Sequence, residues 1–284
     1  MHVEERSGKH RFIHPFTPPG GIVCTSFPVF SWASGCPYKC HYCYLNLTLR
    51  MLPEMVVWTD YDEMARQVKN WLRSGSGNYL NAGELADSLA FGKYSRKMLD
   101  TVLPLIGNHP QKGLYLLTKS AGELLKDVQP LQNVVVGFSV NADEAGRLYE
   151  KDAPLPSERL NGAFNLKQKG WRIRVRLDPM LPIPDWERHY LDIIKQVNDL
   201  SPEKVTLGSL RFNRSLPAHC PPSDIWSYAS EREAGNKKRI DHETTTKLYR
   251  FAVEHLKSPA KSVCKESPEL WTALNIGKLN CVCI

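Results

Sequence analysis

The feature that most constrains this chain is an alternation. From residue 78 to 210 short β-rich runs are separated by longer segments of helical pattern. "NYLNAG" (78–83), "GLYLLTK" (113–119), "VVVGFSV" (134–140), "RIRVRLDP" (172–179) and "KVTLGSL" (204–210) read as strands, with an earlier one around "SFPVFSW" (26–32). Helices are expected in "TDYDEMARQVKNWLR", "SRKMLDTVLPLI", "SAGELLKDV", "PSERLNGAFNLKQKG" and "DWERHYLDIIKQVNDL", the last with Trp186, Tyr190, Ile193, Ile194 and Val197 close to one face. Strands joined by helices build a parallel sheet, because a parallel pair needs a long crossover. The expected fold is therefore α/β, a partial (β/α)6 TIM-type barrel spanning 21–212. A polar arm (1–20) precedes it. After Arg211 the alternation stops, and a Pro-rich stretch leads to a helix near 241–257 and a cysteine-bearing extension (213–284) that is not a separate domain.

In such a fold the loops after the strands share one rim, and chemistry collects there. The segment following the first strand is "GCPYKCHYCYL" (35–45), with Cys36, Cys40 and Cys43 spaced C-x3-C-x2-C. The chain has eight cysteines. The N-terminal residues lack the apolar core of an export signal, and no apolar run is long enough to cross a bilayer. A cytoplasmic protein is expected, whose cysteines serve metal binding or catalysis rather than disulfides. Three thiolates in one short loop can converge on one compact centre. Structural zinc takes four ligands, whereas three cysteines on a [4Fe–4S] cluster leave one iron open for a reactive ligand. The net charge of +7 tolerates a polyanionic partner without requiring one.

The C-x3-C-x2-C spacing with an aromatic before its last cysteine resembles the signature of the radical S-adenosylmethionine (SAM) superfamily. "CHYCYL" is similar more narrowly to the spore photoproduct lyase branch, whose members repair a thymine dimer in DNA. The likeness runs from about residue 20 to 215. It implies a [4Fe–4S] cluster on Cys36, Cys40 and Cys43, with SAM on the open iron. It also implies reductive cleavage to a 5′-deoxyadenosyl radical and an external electron donor such as flavodoxin or ferredoxin. "NAGELADSLA" looks like the family's second-strand segment, so Ala82, Gly83 and Glu84 would lie beside the methionine amino group. "LYLLTKS" implies that Lys119 contacts SAM, and "VVVGFSVNAD" puts Ser139 and Asn141 near it. Tyr42 would lie near the adenine. Tyr44, as a hydrogen-atom relay, and Glu84 are the expected catalytic side chains. Arg174 and Arg176 share one parity on their strand. A buried arginine needs a partner, which a ligand carboxylate or phosphate, or Asp178, would supply.

Two departures stand against the resemblance. The lyases carry a hydrogen-donating cysteine on the second-strand segment, at or beside the place of Glu84, and none is present here. The tail adds Cys264, Cys281 and Cys283, spaced C-x16-C-x-C across a short helix ("PELWTAL"). These are metal-ligand material for a second Fe–S cluster, with Cys24 or Cys220 as the fourth ligand. The expected substrate is a nucleoside or nucleic acid. A two-cluster enzyme that inserts sulfur into, or otherwise modifies, a small metabolite is the alternative. A zinc-stabilised nucleic-acid-binding protein is the reading from another class.

Overall fold

A computed structural model describes residues 3–52, 55–233, 235–258 and 260–276. Its centre is an eight-stranded sheet. The strands are β1 (Ile13–Phe16), β2 (Phe27–Phe30), β3 (Tyr79–Asn81), β4 (Gly113–Thr118), β5 (Val134–Val140), β6 (Arg172–Met180), β7 (Lys204–Ser209) and β8 (Lys261–Val263). They lie side by side in the order in which they occur in the chain. All pairs are parallel except β1–β2, which is antiparallel with Ile13 opposite Phe30. Every residue of β5 is buried, as expected of a strand covered on both faces. Its run of β-branched valines is what makes it recognisable.

The connections are α1 (Tyr61–Arg73), α2 (Lys93–Gly107), α3 (Asp143–Tyr149), α4 (Pro156–Gln168), α5 (Trp186–Leu200) and α6 (His242–His255). In α1 the Asp60 carboxylate caps the Glu63 N–H at 3.0 Å, and Met64, Val68, Trp71 and Leu72 form the buried stripe. In α5 the buried stripe is Tyr190, Ile193, Ile194, Val197 and Leu200, continuing the expected face by one turn. Both stripes join one continuous core. Consecutive parallel strands with right-handed crossovers carry their helices on one side of the sheet, so each apolar stripe finds the same covered face.

The structure draws Ile13–Phe16 (β1), inside the expected polar arm, into the main sheet, and it differs from expectation at three further places. "SAGELLKDV" forms only a 3-10 turn, Glu123–Leu125. Gly122 before it is left-handed (φ 75°) and lies so close to Leu166 of α4 that a Cβ there would meet Leu166 Cδ1 at 2.8 Å. The two-turn helix α3 was not anticipated. Neither was β8, by which the C-terminal segment pairs with β7 and enlarges the sheet.

A separate small sheet, Val3–Arg6 with Met55–Trp58 and Ala33–Ser34, braces the chain just before the cysteine loop. At the other side, the Val23 N–H donates to the Glu266 carbonyl at 2.8 Å and the Lys265 ammonium lies over the Phe16 ring at 5.0 Å. The segments flanking the two edge strands thus meet. No helix among the described residues is long and apolar enough to cross a membrane.

Candidate active site

The cysteine loop is held by backbone pairing on both flanks. Gly35, at φ 99°, packs so tightly on Met55 that a Cβ would meet its Cγ at 2.9 Å, and its N–H donates to the Leu85 carbonyl at 2.9 Å. Lys39–Cys40 pairs antiparallel with Glu150–Lys151, Cys40 facing Glu150. The His41 N–H reaches the Tyr149 carbonyl at 2.9 Å, and after Cys43 the chain enters a single helical turn, Leu45–Thr48. The three thiols are close enough for their charges to be mutually felt. Burial pushes all three up, Cys40 to about 12. Desolvated thiols that face each other stay protonated alone and favour a cationic centre that takes them as thiolates. A cavity of about 440 Å3 opens beside Cys36 and Cys43, lined also by Tyr38, Asn46, Arg50 and His219. Three cysteine sulfurs on one loop are the donor set an Fe–S centre takes, although Cys40 does not line this cavity and no three such groups among the described residues are gathered closely enough to hold a single metal ion.

Facing the loop are the segments that follow β3 and β4. The Asn81 side chain accepts from the Gly83 N–H at 3.0 Å and donates to Glu84 Oε2 at 3.3 Å, fixing the Ala82–Gly83–Glu84 turn. The Tyr44 hydroxyl donates to the Glu84 carbonyl, joining loop to turn. The turn carries no cysteine. Asp87, farther along it, was not anticipated as a site residue. Its buried carboxylate accepts from Thr118 Oγ1 (2.7 Å), the Lys119 N–H (2.6 Å) and the Leu89 N–H (2.9 Å). Its charge contributes to the upward shift at Cys36, after burial.

Lys119, just past β4, donates through Nζ to Tyr42 Oη at 2.6 Å and to Glu150 Oε1 at 2.8 Å. Tyr42 also donates to Glu150. Behind them Arg159 of α4 places Nη2 2.5 Å from Glu150 Oε2, both side chains fully buried, and gives Nη1 to the Ser139 carbonyl at 2.9 Å. Burial alone would raise the Glu150 carboxyl, but Lys119 and Arg159 outweigh it and bring it down to about 2. For Lys119 burial opposes the charge, yet Cys40 and Glu150 hold it above the usual lysine value. Glu150 and Arg159 were not anticipated either. Arg159 could have been found, since it stands on the stripe that continues through Ala163 and Leu166, where a charge has no place without a buried partner.

The remaining candidates divide. Ser139 and Arg176 are cross-strand neighbours in β5 and β6. Arg176 Nη2 donates to Asp178 Oδ2 at 2.8 Å, the salt-bridge option, and to Cys264 Sγ at 3.1 Å. Cys264 is buried at the end of β8, its N–H bonded to the Leu207 carbonyl at 2.7 Å. Asn141 is fully enclosed, donating to the Pro179 carbonyl at 2.8 Å and accepting from Tyr190 Oη at 2.7 Å and the Ala142 N–H at 2.9 Å. Its amide ties the ends of β5 and β6 together. Arg174 stands apart, 3.7 Å from Glu203 and over the Tyr79 ring at 5.9 Å, toward the end where β3 and β7 begin. Cys220 accepts from Asn46 Nδ2 at 3.2 Å, beside the cysteine loop, and Cys24 lies in the segment before β2. Cys281 and Cys283 lie outside the described residues.

Comparison with known proteins bears on the family and the fold. The family model for spore photoproduct lyase matches residues 26–214, well over half of the chain. The spore photoproduct lyase of Clostridium acetobutylicum is 23% identical over 170 residues, 58% of this chain and 50% of that protein. That of Bacillus subtilis is 21% identical over 176 residues, 61% and 52% of the two chains. The chain thus spans about half the length of the curated relatives it matches. Among solved structures, spore photoproduct lyase complexed with dinucleoside spore photoproduct has a TM-score of 0.74 at 18% identity, covering 91% of this chain and 81% of that one. A double variant with bound AdoMet and dinucleoside spore photoproduct has a TM-score of 0.67 at 21% identity, covering 82% and 74%. With a large, mainly parallel sheet in common and the family model running from β2 to just beyond β7, the chain belongs to the spore photoproduct lyase family.

Proposed function

We propose that this chain is a radical SAM lyase acting on a thymine-dimer lesion of DNA, of the kind that the related structures hold as the dinucleoside spore photoproduct. The observation that carries the reading is one convergence. Three cysteines of one loop stand beside Lys119, Tyr42 and the Ala82–Glu84 turn, on segments that follow neighbouring parallel strands. In this reading the sheet and its helices form a partial (β/α)6 barrel, with the C-terminal segment as an extension. Six parallel strands in chain order support it, since unbroken sequential order is how barrels wind.

Cys36, Cys40 and Cys43 would hold a [4Fe–4S] cluster, which when bound supplies the electron that cleaves SAM to a 5′-deoxyadenosyl radical. The chain's own part is placement. Lys119 offers an ammonium to the carboxylate of SAM, and the Ala82–Gly83–Glu84 turn presents backbone groups to its methionine amino group. Tyr42 offers an aromatic face, and Tyr44, anchored on the Glu84 carbonyl, holds a phenol at the junction of loop and turn. Arg176, balanced by Asp178, lies on the same side as Ser139 and suits an anionic group of the substrate.

The test is anaerobic reconstitution of the parent and of a variant with Cys36, Cys40 and Cys43 changed to alanine. It is followed by dithionite, SAM and the dinucleoside lesion. The parent should take up about four irons and matching sulfide, the content of one cubane, and form 5′-deoxyadenosine while consuming the lesion; the variant should do neither. A parent that binds only zinc, or forms no 5′-deoxyadenosine, refutes the reading.

A further inference from the structure

We propose that Glu150 is a positioning residue that couples the cysteine loop to the SAM-binding lysine, an assignment that rests on the function proposed above. Three separate segments meet on this one residue, and a fourth is reached through Arg159. Its backbone pairs with Cys40, so it clasps the loop at a cluster ligand. Its Oε1 receives the Lys119 ammonium at 2.8 Å and the Tyr42 hydroxyl. Its Oε2 forms an ion pair with Arg159 Nη2 at 2.5 Å. Arg159 in turn holds the strand of Ser139 through that residue's carbonyl at 2.9 Å and the Pro154 carbonyl at 2.8 Å.

The chemistry of a lysine makes such a partner necessary. Its ammonium rides on a flexible four-carbon stem and has no preferred direction of its own. Here two of its three N–H groups are engaged by Tyr42 and Glu150, which aims the third at a ligand carboxylate. Because Glu150 is itself immobilised by a buried arginine and a backbone ladder, Lys119 and Tyr42 are fixed relative to the cysteine loop before any ligand arrives. The Glu150 side chain is fully enclosed and presents no surface to a ligand. It acts through Lys119.

The test is a double-mutant cycle read by calorimetric SAM affinity and by iron content on the reconstituted holoenzyme. The variants are Glu150→Gln, Lys119→Met, the pair E150Q/R159M and the triple E150Q/R159M/K119M. The paired change removes both buried charges, so the fold is not left with an unpaired arginine if Glu150→Gln alone fails to fold. Each of Lys119→Met and E150Q/R159M should weaken SAM binding about 10-fold, the order of one charge-assisted hydrogen bond, with iron content unchanged. The triple variant should be no weaker than Lys119→Met alone, because residues acting through one another are not additive. Multiplying losses, or parent-like affinity in E150Q/R159M, would overturn the assignment. Loss of iron in E150Q/R159M would also overturn it, since Glu150 would then serve only the fold of the loop. A parent that takes up iron but no SAM is a different outcome, and sinks the proposed function before any variant is compared.

Discussion

Gly83 offers a sharp test of how the Ala82–Glu84 turn is built. A Cβ added there would lie 2.5 Å from Leu117 Cβ and 3.1 Å from both Leu117 Cα and its amide nitrogen. Carbon atoms rest at about 3.5–4.0 Å, so Gly83→Ala requires the turn or β4 to move by about 1 Å. The contact cannot be relieved by a rotamer, since two of the three atoms are backbone of a strand paired on both sides. Overpacking of this kind costs about 1–3 kcal/mol. The loss of unfolded-state freedom returns about 0.4–1 kcal/mol. The balance is a destabilisation of about 1–2 kcal/mol, or about 2–4 °C in melting temperature for a chain of this size. Gly107→Ala is the control. Its Cβ would meet only Leu131 methyl groups at 3.5 Å, at the last residue of α2, so it should match or slightly exceed the parent. Differential scanning calorimetry of the parent and both variants, at equal iron loading, measures the comparison. If Gly83→Ala melts with or above the parent, or if the two variants shift alike, the tight approach of turn to strand is wrong.

Two further substitutions separate structural from ligand-facing roles. Asn141→Ala removes three buried hydrogen bonds and leaves the Tyr190 hydroxyl, still bonded by the Leu181 N–H, without its acceptor, and should cost about 2–4 kcal/mol in urea denaturation at unchanged m-value; a near-neutral result would move Asn141 out of the framework. Arg176→Met removes one partner of Asp178, whose carboxyl burial would raise but which Arg176 and Arg211 hold below its ordinary value. A carboxylate with a depressed folded pKa stabilises above its unfolded pKa and loses that contribution as pH falls through the folded one. The melting-temperature gap between parent and Arg176→Met should therefore be largest near neutral pH, at about 1–3 kcal/mol, and shrink below about pH 3.9. A gap that widens with acid contradicts the ion pair.

What could be read in the sequence follows from the range of the forces involved. β5 and α5 are local patterns, a valine run buried on both faces and an apolar stripe at helical spacing, and both fold as the residues suggest. The three-cysteine loop, Lys119 and the Gly83–Glu84 turn were also legible, because each stands in a short motif after a strand. The Glu123–Leu125 turn was misread as a helix, and the packing of Leu166 against Gly122 before it is tertiary, with no local signal. β8 is three residues long and shows no periodicity, so only its pairing with β7 reveals it. Glu150 with Lys119, and Asp87 with the Lys119 amide, join residues 31 and 32 positions apart, and neither residue type signals such a contact by itself.

The meeting of Val23 with Glu266 bears on how evenly the sheet is held together. Strands β3 to β7 are joined by continuous ladders, and parting any two of them breaks several backbone bonds together. At the seam between the edge strands, the contacts named among the described residues are one amide–carbonyl bond and a lysine lying on a phenylalanine ring. Such a clasp separates at far smaller cost than a ladder. The sheet is thus stiffest across β3 to β7, where Lys119 is mounted, whereas its two edge strands are linked through flanking segments and not by strand pairing.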